Sequence, residues 1–124
     1  MSMFELKVKC GFAAAHHIEG YPGDCVRNHG HNWVIEVEAS SQELDHLGLA
    51  IDFRDLKRGL REVIARWDHQ DLNTLPDFVN RNPTAEVIAQ TCYERLQPLF
   101  TDRKTGLKRV TVWENDSCAA SYIP

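Results

Sequence analysis

The sequence predicts an α+β fold in which a four-stranded antiparallel sheet carries two helices on one face. Three observations predict it: two long stretches of alternating apolar and polar residues, two amphipathic stretches of helical period, and two short strand-like stretches near the end. In chain order they give strand, strand, helix, helix, strand, strand. The 124 residues, 43% of them hydrophobic, fit a single domain that spans residues 1–124.

Alternation predicts the first two strands. In residues 3–12 the apolar side chains share one parity and the charged ones take the other, which is the pattern of a half-buried strand. Residues 29–39 alternate in the same way. Residues 18–28 contain glycine, proline and asparagine and are typical of a loop, so the two strands are expected to pair antiparallel.

Helical spacing predicts two helices after the second strand. The first is expected to follow an N-cap at Asp52 and to carry its apolar face as far as Trp67. An irregular stretch comes next. The second helix is expected to begin near Pro83-Thr84, because proline is tolerated in a first helical turn, and its apolar face reaches Leu99.

The last two strands are short. Val110 and Val112 mark the third strand, which follows a turn at residues 101–106. A tight turn at residues 115–116 then leads to a strand that ends at Tyr122. The chain shows no internal repeat, low-complexity segment or linker between these elements.

The composition excludes two classes of partner. A net charge of −4 leaves no broad basic face for nucleic acid, so an anionic ligand would need a local basic pocket. No stretch approaches the ~20 apolar residues of a membrane span, and no apolar leader precedes a cleavage site. The four cysteines form no CxxC pair, which is typical of reduced thiols, and we expect a cytoplasmic protein.

The sharpest local feature is His29-Gly30-His31. Residues i and i+2 of a strand point to the same face, so both imidazoles can converge on one ion. His16 shares the parity of the apolar face of the first strand and is the expected third ligand; His17, of opposite parity, is the competing choice. Three histidines suit Zn²⁺ and leave a fourth position open, which is the arrangement of a catalytic site. The alternative is a set of hydrogen-bonded or surface histidines without metal.

Six blocks in chain order resemble the 6-pyruvoyltetrahydropterin synthase family. They are similar to its Phe-x-Ala-Ala-His, its CxxxHGH, the segment before its first helix, its Leu-Asp-His-x-x-Leu-Asn, its Pro-Thr-x-Glu, and the strand that bears its pterin-binding glutamate. In this chain the blocks begin at Phe12, Cys25, Ile51, Trp67, Asn82 and Val112. The chain departs from the pattern at Trp67, where the family usually has leucine, and at His17, where many members have arginine.

The resemblance implies the tunnelling fold (T-fold). In that fold each subunit has a four-stranded antiparallel sheet with two helices on one face. Three subunits join their sheets into a barrel, and two trimers stack into a homohexamer. Active sites then lie between subunits, in agreement with the small size of the chain, which leaves little room for a deep private pocket.

The resemblance also implies roles for residues. The metal ligands would be His16, His29 and His31. Cys25 would be the general base, and Asp68 and His69 its partners in proton transfer. A thiol near a metal and a histidine can lose its proton near neutral pH. The alternatives are that Cys25 is one more loop thiol and that Asp68 merely ends the first helix.

Glu114 would hold the pterin, because a carboxylate offers two acceptors to the paired N–H donors of an aminopyrimidinone. Its parity matches Val110 and Val112, so it should point to the apolar side of the sheet, where a carboxylate needs a partner. As a pterin-binding residue it is not expected to be a metal ligand. Thr84 and Glu86 are further substrate-binding candidates, although their place in a first helical turn is equally typical of capping alone.

The short CxxxHGH gap resembles bacterial members of the family that act in queuosine biosynthesis. These convert 7,8-dihydroneopterin triphosphate to 6-carboxytetrahydropterin, acetaldehyde and triphosphate, so the expected activity is that of a zinc-dependent carbon–carbon lyase. The runner-up is 6-pyruvoyltetrahydropterin synthase activity, in which triphosphate is eliminated. A non-catalytic zinc-binding domain is the third possibility. Arg27, Lys9 and Arg81 are the candidates for holding the triphosphate.

Overall fold

Seven helices and strands form the fold in the computed structural model, which describes residues 2–100 and 105–124. The predicted α+β class and the order of the main elements are confirmed. The elements are β1 (Phe4–His16), β2 (His29–Ser41), α1 (Phe53–Ala65), β3 (Gln70–Asp71), α2 (Ala85–Leu96), β4 (Thr105–Asn115) and β5 (Cys118–Tyr122).

The sheet has five strands in the order β3-β1-β2-β4-β5, so the predicted count of four is wrong. The additional strand, β3, has two residues and pairs parallel to β1 at Ala14 and Ala15, whereas the other pairs are antiparallel. A two-residue strand has no alternation that a sequence pattern can reveal. It forms because the chain leaving α1 lies along the edge of β1.

Strands β1 and β2 pair in one unbroken register from Phe4 opposite Ser41 to His16 opposite His29. Both strands are longer than the sequence predicted, since β1 continues four residues past Phe12. Gly11 lies within this ladder without a shift of register, so the parity of β1 is kept to its end. As a result, His16 points to the same face as the buried apolar residues of the strand.

One face of the sheet forms the core with the two helices. Helix α1 packs on β1, and α2 packs on β4 and β5. The buried apolar residues keep one parity along each of β1 and β2; examples are Val8, Phe12, Trp33, Ile35 and Val37. The expected arrangement, with both helices on one face, is confirmed.

The helix ends differ from the prediction by a few residues. Asp52 caps α1 as predicted, its carboxylate accepting from Arg54 N–H, but α1 ends at Ala65 and Trp67 lies in the turn that follows. Thr84 is the N-cap of α2, its hydroxyl accepting from Val87 N–H, so Pro83 lies outside the helix rather than in its first turn.

At its other end α2 stops at Leu96. Leu99, predicted on the apolar face, belongs to a short 3-10 helix and is 58% exposed. Of the turn predicted at residues 101–106, residues 101–104 lie outside the described part of the chain, and Thr105 and Gly106 begin β4. Among the described residues, none of the helices is long and apolar enough to cross a bilayer.

Candidate metal centre and active site

The three histidines predicted as metal ligands meet at one end of the β1–β2 ladder. His16 and His29 are directly opposite each other, and His31 lies two residues further along β2. One ligand atom from each lies within 4.8 Å of the other two. The ring centroids are 4.6–5.2 Å apart, with the rings edge to face. Strand pairing alone therefore brings three imidazoles to a common point.

Main-chain carbonyls orient two of these rings. The Nδ1–H of His16 donates to the Pro83 carbonyl at 2.8 Å, and that of His29 donates to the Arg27 carbonyl at 2.7 Å. A ring that donates from Nδ1 presents the lone pair of Nε2, and a hydrogen bond of this kind is the usual support of a metal-binding histidine. The two carbonyls thus select the tautomer that a metal requires.

Two Nε2 atoms of the cluster lack hydrogen-bond partners among the described residues. Nε2 of His16 and Nε2 of His31 are buried and have no hydrogen bond, an arrangement that is costly unless something binds there. Burial also lowers the pKa of His16 and of His31, which keeps both rings neutral and able to donate a lone pair to a metal. Orphaned lone pairs, neutral rings and three nitrogen donors together fit a zinc ion with one position left for another ligand.

Glu114 lies at this cluster. One of its carboxylate oxygens is 3.5 Å from Nε2 of His16 and 3.5 Å from Nε2 of His31. The side chain points to the core side of β4, as its parity predicted. Glu114 lies there because β4 pairs with β2 and brings the end of one strand beside the histidines of the other. It does not belong to the group of candidate metal ligands found among the described residues. Oxygen and nitrogen lone pairs that face each other here would both be satisfied by a shared cation or proton.

Cys25 lies in a short 3-10 helix, Asp24–Val26, within the loop between β1 and β2. The residue is half-buried, and its carbonyl accepts a hydrogen bond from Ile18 N–H at 2.7 Å. Its sulfur is not part of the group of candidate metal ligands found among the described residues. Cys25 is therefore near the histidines along the chain, without being one of the ligands.

Asp68 and His69 form a pair attached to β1. The Asp68 carboxylate accepts from Nδ1–H of His69 at 2.9 Å and from Ala13 N–H at 3.0 Å, while His69 N–H donates to the Ala13 carbonyl at 2.6 Å. The Ala13 contact is the main reason that the pKa of Asp68 is lowered. His69 has a φ of 60°, an uncommon conformation for a residue with a β-carbon. Asp68 thus orients an imidazole that is 81% exposed.

Three of the other candidates, Thr84, His17 and Arg81, make contacts within the chain. Thr84 caps α2, and Glu86 is exposed in its first turn. His17 lies outside the cluster, with Nε2 3.5 Å from a Glu19 oxygen. Arg81 donates to the Asp77 carbonyl and to Thr91, so its guanidinium is already engaged.

Sequence reasoning missed two groups of contacts. Asn73 and Asn82, which belong to the irregular stretch between the helices, bond to the main chain of residues 17 and 19. Trp67 had been interpreted as an apolar replacement for leucine, but its indole N–H donates to the Asp77 carboxylate at 2.8 Å. The available signal was chemical: an amide carries both a donor and an acceptor, and a buried indole needs an acceptor.

Comparison with known proteins identifies the relatives of this fold and site. The family model described as 6-pyruvoyl tetrahydropterin synthase matches residues 5–124. The chain belongs to this family. It is 35% identical to the 6-carboxy-5,6,7,8-tetrahydropterin synthase of Bacillus subtilis, over 98% of this chain and 86% of that protein. The protein of the same name from Haemophilus influenzae is 29% identical, over 97% of this chain and 99% of its own length.

A solved structure of the family has the same fold. The Caenorhabditis elegans 6-pyruvoyl tetrahydropterin synthase superposes with a TM-score of 0.86 at 25% identity, covering 100% of this chain and 97% of that one. The tunnelling fold implied by the sequence blocks is thereby confirmed, apart from the added strand β3. The recognition of the family from those blocks is confirmed as well.

Proposed function

We propose that the protein is a 6-carboxytetrahydropterin synthase, a zinc-dependent carbon–carbon lyase of queuosine biosynthesis. It would convert 7,8-dihydroneopterin triphosphate to 6-carboxytetrahydropterin, acetaldehyde and triphosphate. The observation that carries the proposal is the cluster of His16, His29 and His31, with two buried Nε2 atoms that have no hydrogen bond, in a chain of this family. Relatives named for this reaction span nearly the whole chain, which supports it over the family's other activities.

Zinc held by the three histidines would supply a Lewis acid that makes a C–H bond of the substrate side chain more acidic. Cys25 would remove that proton as the general base. His69 would exchange a proton with the substrate through Nε2, because its Nδ1 is engaged by Asp68 at 2.9 Å. The carboxylate of Asp68 would keep the ring oriented and stabilise it when it is protonated.

Glu114 would bind the pterin ring through the two oxygens of its carboxylate, which match the ring's paired N–H donors. In the structure one oxygen faces the histidine nitrogens at 3.5 Å. The anchoring role therefore requires the carboxylate to exchange these contacts for the ring N–H groups when substrate binds. Thr84 and Glu86 remain candidates for the same pocket, in addition to the capping role of Thr84.

Assembly would complete the site. The Asp68–His69 pair belongs to the exposed surface of the single chain, with 40% and 81% of the side chains accessible, and an acid–base pair works best with water excluded. From Phe4 to Phe12 the edge of β1 that faces away from β2 has no strand partner among the described residues. An open edge of this length favours pairing with a second copy. We expect trimers that close a barrel, and a hexamer of two trimers.

The test is incubation of the purified, zinc-loaded protein with 7,8-dihydroneopterin triphosphate, followed by mass analysis of the pterin and trapping of acetaldehyde. A carboxypterin with acetaldehyde supports the proposal, and a pyruvoyl product supports 6-pyruvoyltetrahydropterin synthase activity instead. Absence of turnover at any zinc concentration would leave a zinc-binding module. Light scattering on the same sample tests the assembly, and a stable, active monomer would contradict it.

A further inference from the structure

Two asparagine side chains hold the segment that joins His16 to the Cys25 loop. Asn73 accepts from His17 N–H at 2.9 Å and donates to the His17 carbonyl at 3.0 Å. Asn82 makes the same pair of hydrogen bonds with Glu19, accepting from its N–H at 2.9 Å and donating to its carbonyl at 3.2 Å. Each amide satisfies both main-chain groups of one residue, as the neighbouring residue of a sheet would. The two asparagines therefore extend the support of β1 beyond its last paired residue.

Between these two contacts lies Ile18. Its N–H donates to the Cys25 carbonyl at 2.7 Å, so the residue held on both sides by asparagine contacts is the one that bonds to Cys25. Turn hydrogen bonds from Val26 to Gly23 and from Arg27 to Asp24 shape the loop internally, but they do not tie it to β1. The Ile18 contact does, because Ile18 is two residues from the end of that strand.

The second asparagine is also connected to the metal centre. Asn82 directly precedes Pro83, whose carbonyl accepts from Nδ1–H of His16 at 2.8 Å. Neighbouring residues thus hold a metal-binding ring and the segment that leads to Cys25. This arrangement sets the position of the thiol-bearing loop relative to the metal.

We propose that Asn73 and Asn82 are positioning residues that place Cys25 for proton removal, through Ile18. The inference rests on the proposed function in one respect, namely that the Cys25 thiol acts on the substrate. Neither asparagine touches the reacting atoms. Their effect is that residues 17–19 keep one conformation, which holds the Cys25 main chain at a constant distance from His16.

The test compares Asn73→Ala and Asn82→Ala with Asn80→Gly as a matched control. Asn80 lines a polar cavity together with Asn73 and Asn82, and it makes no hydrogen bond among the described residues. Its φ of 61° suits glycine. Amide hydrogen exchange of the 17–28 segment should become faster in both alanine variants. Iodoacetamide should modify Cys25 several-fold faster relative to the exposed Cys118 of the same molecule. In Asn80→Gly the rate of hydrogen exchange and the rate of Cys25 alkylation should equal those of the wild type.

Steady-state kinetics distinguish positioning of Cys25 from a merely structural role. Loss of placement should lower kcat by about 10- to 100-fold in each alanine variant with KM nearly unchanged, since small misplacements of a reacting group have effects of this size. Zinc content should stay at the wild-type value in Asn73→Ala. Asn73→Asp and Asn82→Asp keep the acceptor and lose the donor, so they should give intermediate values and serve if an alanine variant does not fold.

Unchanged exchange and unchanged alkylation in the alanine and aspartate variants would overturn the proposal. Faster exchange with kcat within about twofold of the wild type would also overturn it, because the loop would then be held without positioning Cys25. If the wild type does not turn over the pterin at all, the proposed function fails. Exchange and alkylation still measure the asparagine contacts in that case, so the two failures are distinguishable.

Discussion

The histidine cluster and the candidate proton-transfer groups differ in how they are built. Strand pairing brings the histidines together, and the side chains of His16 and His31 are 1% and 23% exposed. Cys25 and the Asp68–His69 pair are carried by a loop and a turn, and the side chain of His69 is 81% exposed. The histidine cluster is therefore formed within one chain, whereas the Asp68–His69 pair is open to solvent and would need a further surface to exclude water.

The histidine cluster and the loop-borne groups should therefore be separable by mutation. Removing a group on a loop should leave the ladder of β1 and β2 unchanged, and removing a histidine should leave the loops in place. Metal content and turnover then report on different regions. Three variants and the pH dependence of stability test this separation, beginning with the largest expected effect.

Replacing Cys25 with alanine should abolish most turnover while the zinc content stays stoichiometric. A general base contributes typically ~10²–10⁴-fold to the rate. The variant keeps the carbonyl that accepts from Ile18, so the loop should remain in position. Steady-state kinetics and metal analysis of the same sample check both statements. A near-normal rate would mean that Cys25 takes no part in the reaction.

Replacing His31 with alanine should lower the affinity for zinc, in contrast to Cys25→Ala. It removes one of three ligands, so the loss of zinc affinity should exceed the ~10–100-fold typical of outer-shell changes. Competition with a chromophoric chelator measures it. His17→Ala is the matched control, since His17 lies outside the cluster. Stoichiometric zinc in His31→Ala together with loss in His17→Ala would show that the ligands are misassigned.

Glu114 lies beside the histidines and is also the proposed pterin anchor, so replacing it with glutamine tests both substrate binding and the metal centre. An amide presents a donor where the carboxylate presented an acceptor, so one charge-assisted hydrogen bond to the pterin is lost, at about 1.5–3 kcal/mol. Affinity for a pterin ligand should fall by roughly one to two powers of ten. Calorimetric titration measures it. Unchanged affinity would show that Glu114 does not hold the ring.

The same variant tests the contacts of Glu114 with the histidines. Because an oxygen lies 3.5 Å from Nε2 of His16 and of His31, removing its charge should also weaken zinc binding measurably, although less than His31→Ala does. Chelator competition on Glu114→Gln, beside the wild type, checks this ordering. Identical zinc affinity would mean that the carboxylate has no influence on the metal.

The smallest effect concerns the stability of the metal-free protein with pH. Burial lowers the pKa of His16 and of His31, so below the ordinary value of ~6.5 the folded state binds fewer protons than the unfolded state. Above that pH the two neutral rings should not affect the free energy of unfolding. As the pH falls below it, the free energy of unfolding should decrease. Urea unfolding at several pH values should show a weaker decrease in His31→Ala and an unchanged one in His46→Gln, whose ring is exposed.

Much of the fold was predictable because its signals are periodic. Alternation marked β1 and β2 and gave the parity of His16, helical spacing marked both helices, and Asp52 was identified as the cap of α1. Boundaries were less accurate, since a strand extends as far as its partner pairs with it. The two residues of β3 exist only through their contact with β1, which no pattern within them records.

Parity, which can be read from the sequence, places His16, His29 and His31 on one face of the sheet, but it did not reveal that Glu114 lies beside them. Only the tertiary structure decided which ring nitrogen each histidine presents. That choice depends on the carbonyls of Pro83 and Arg27, and a main-chain carbonyl is the same in every residue. For the same reason the asparagine contacts to residues 17 and 19 were invisible until distant segments were brought together.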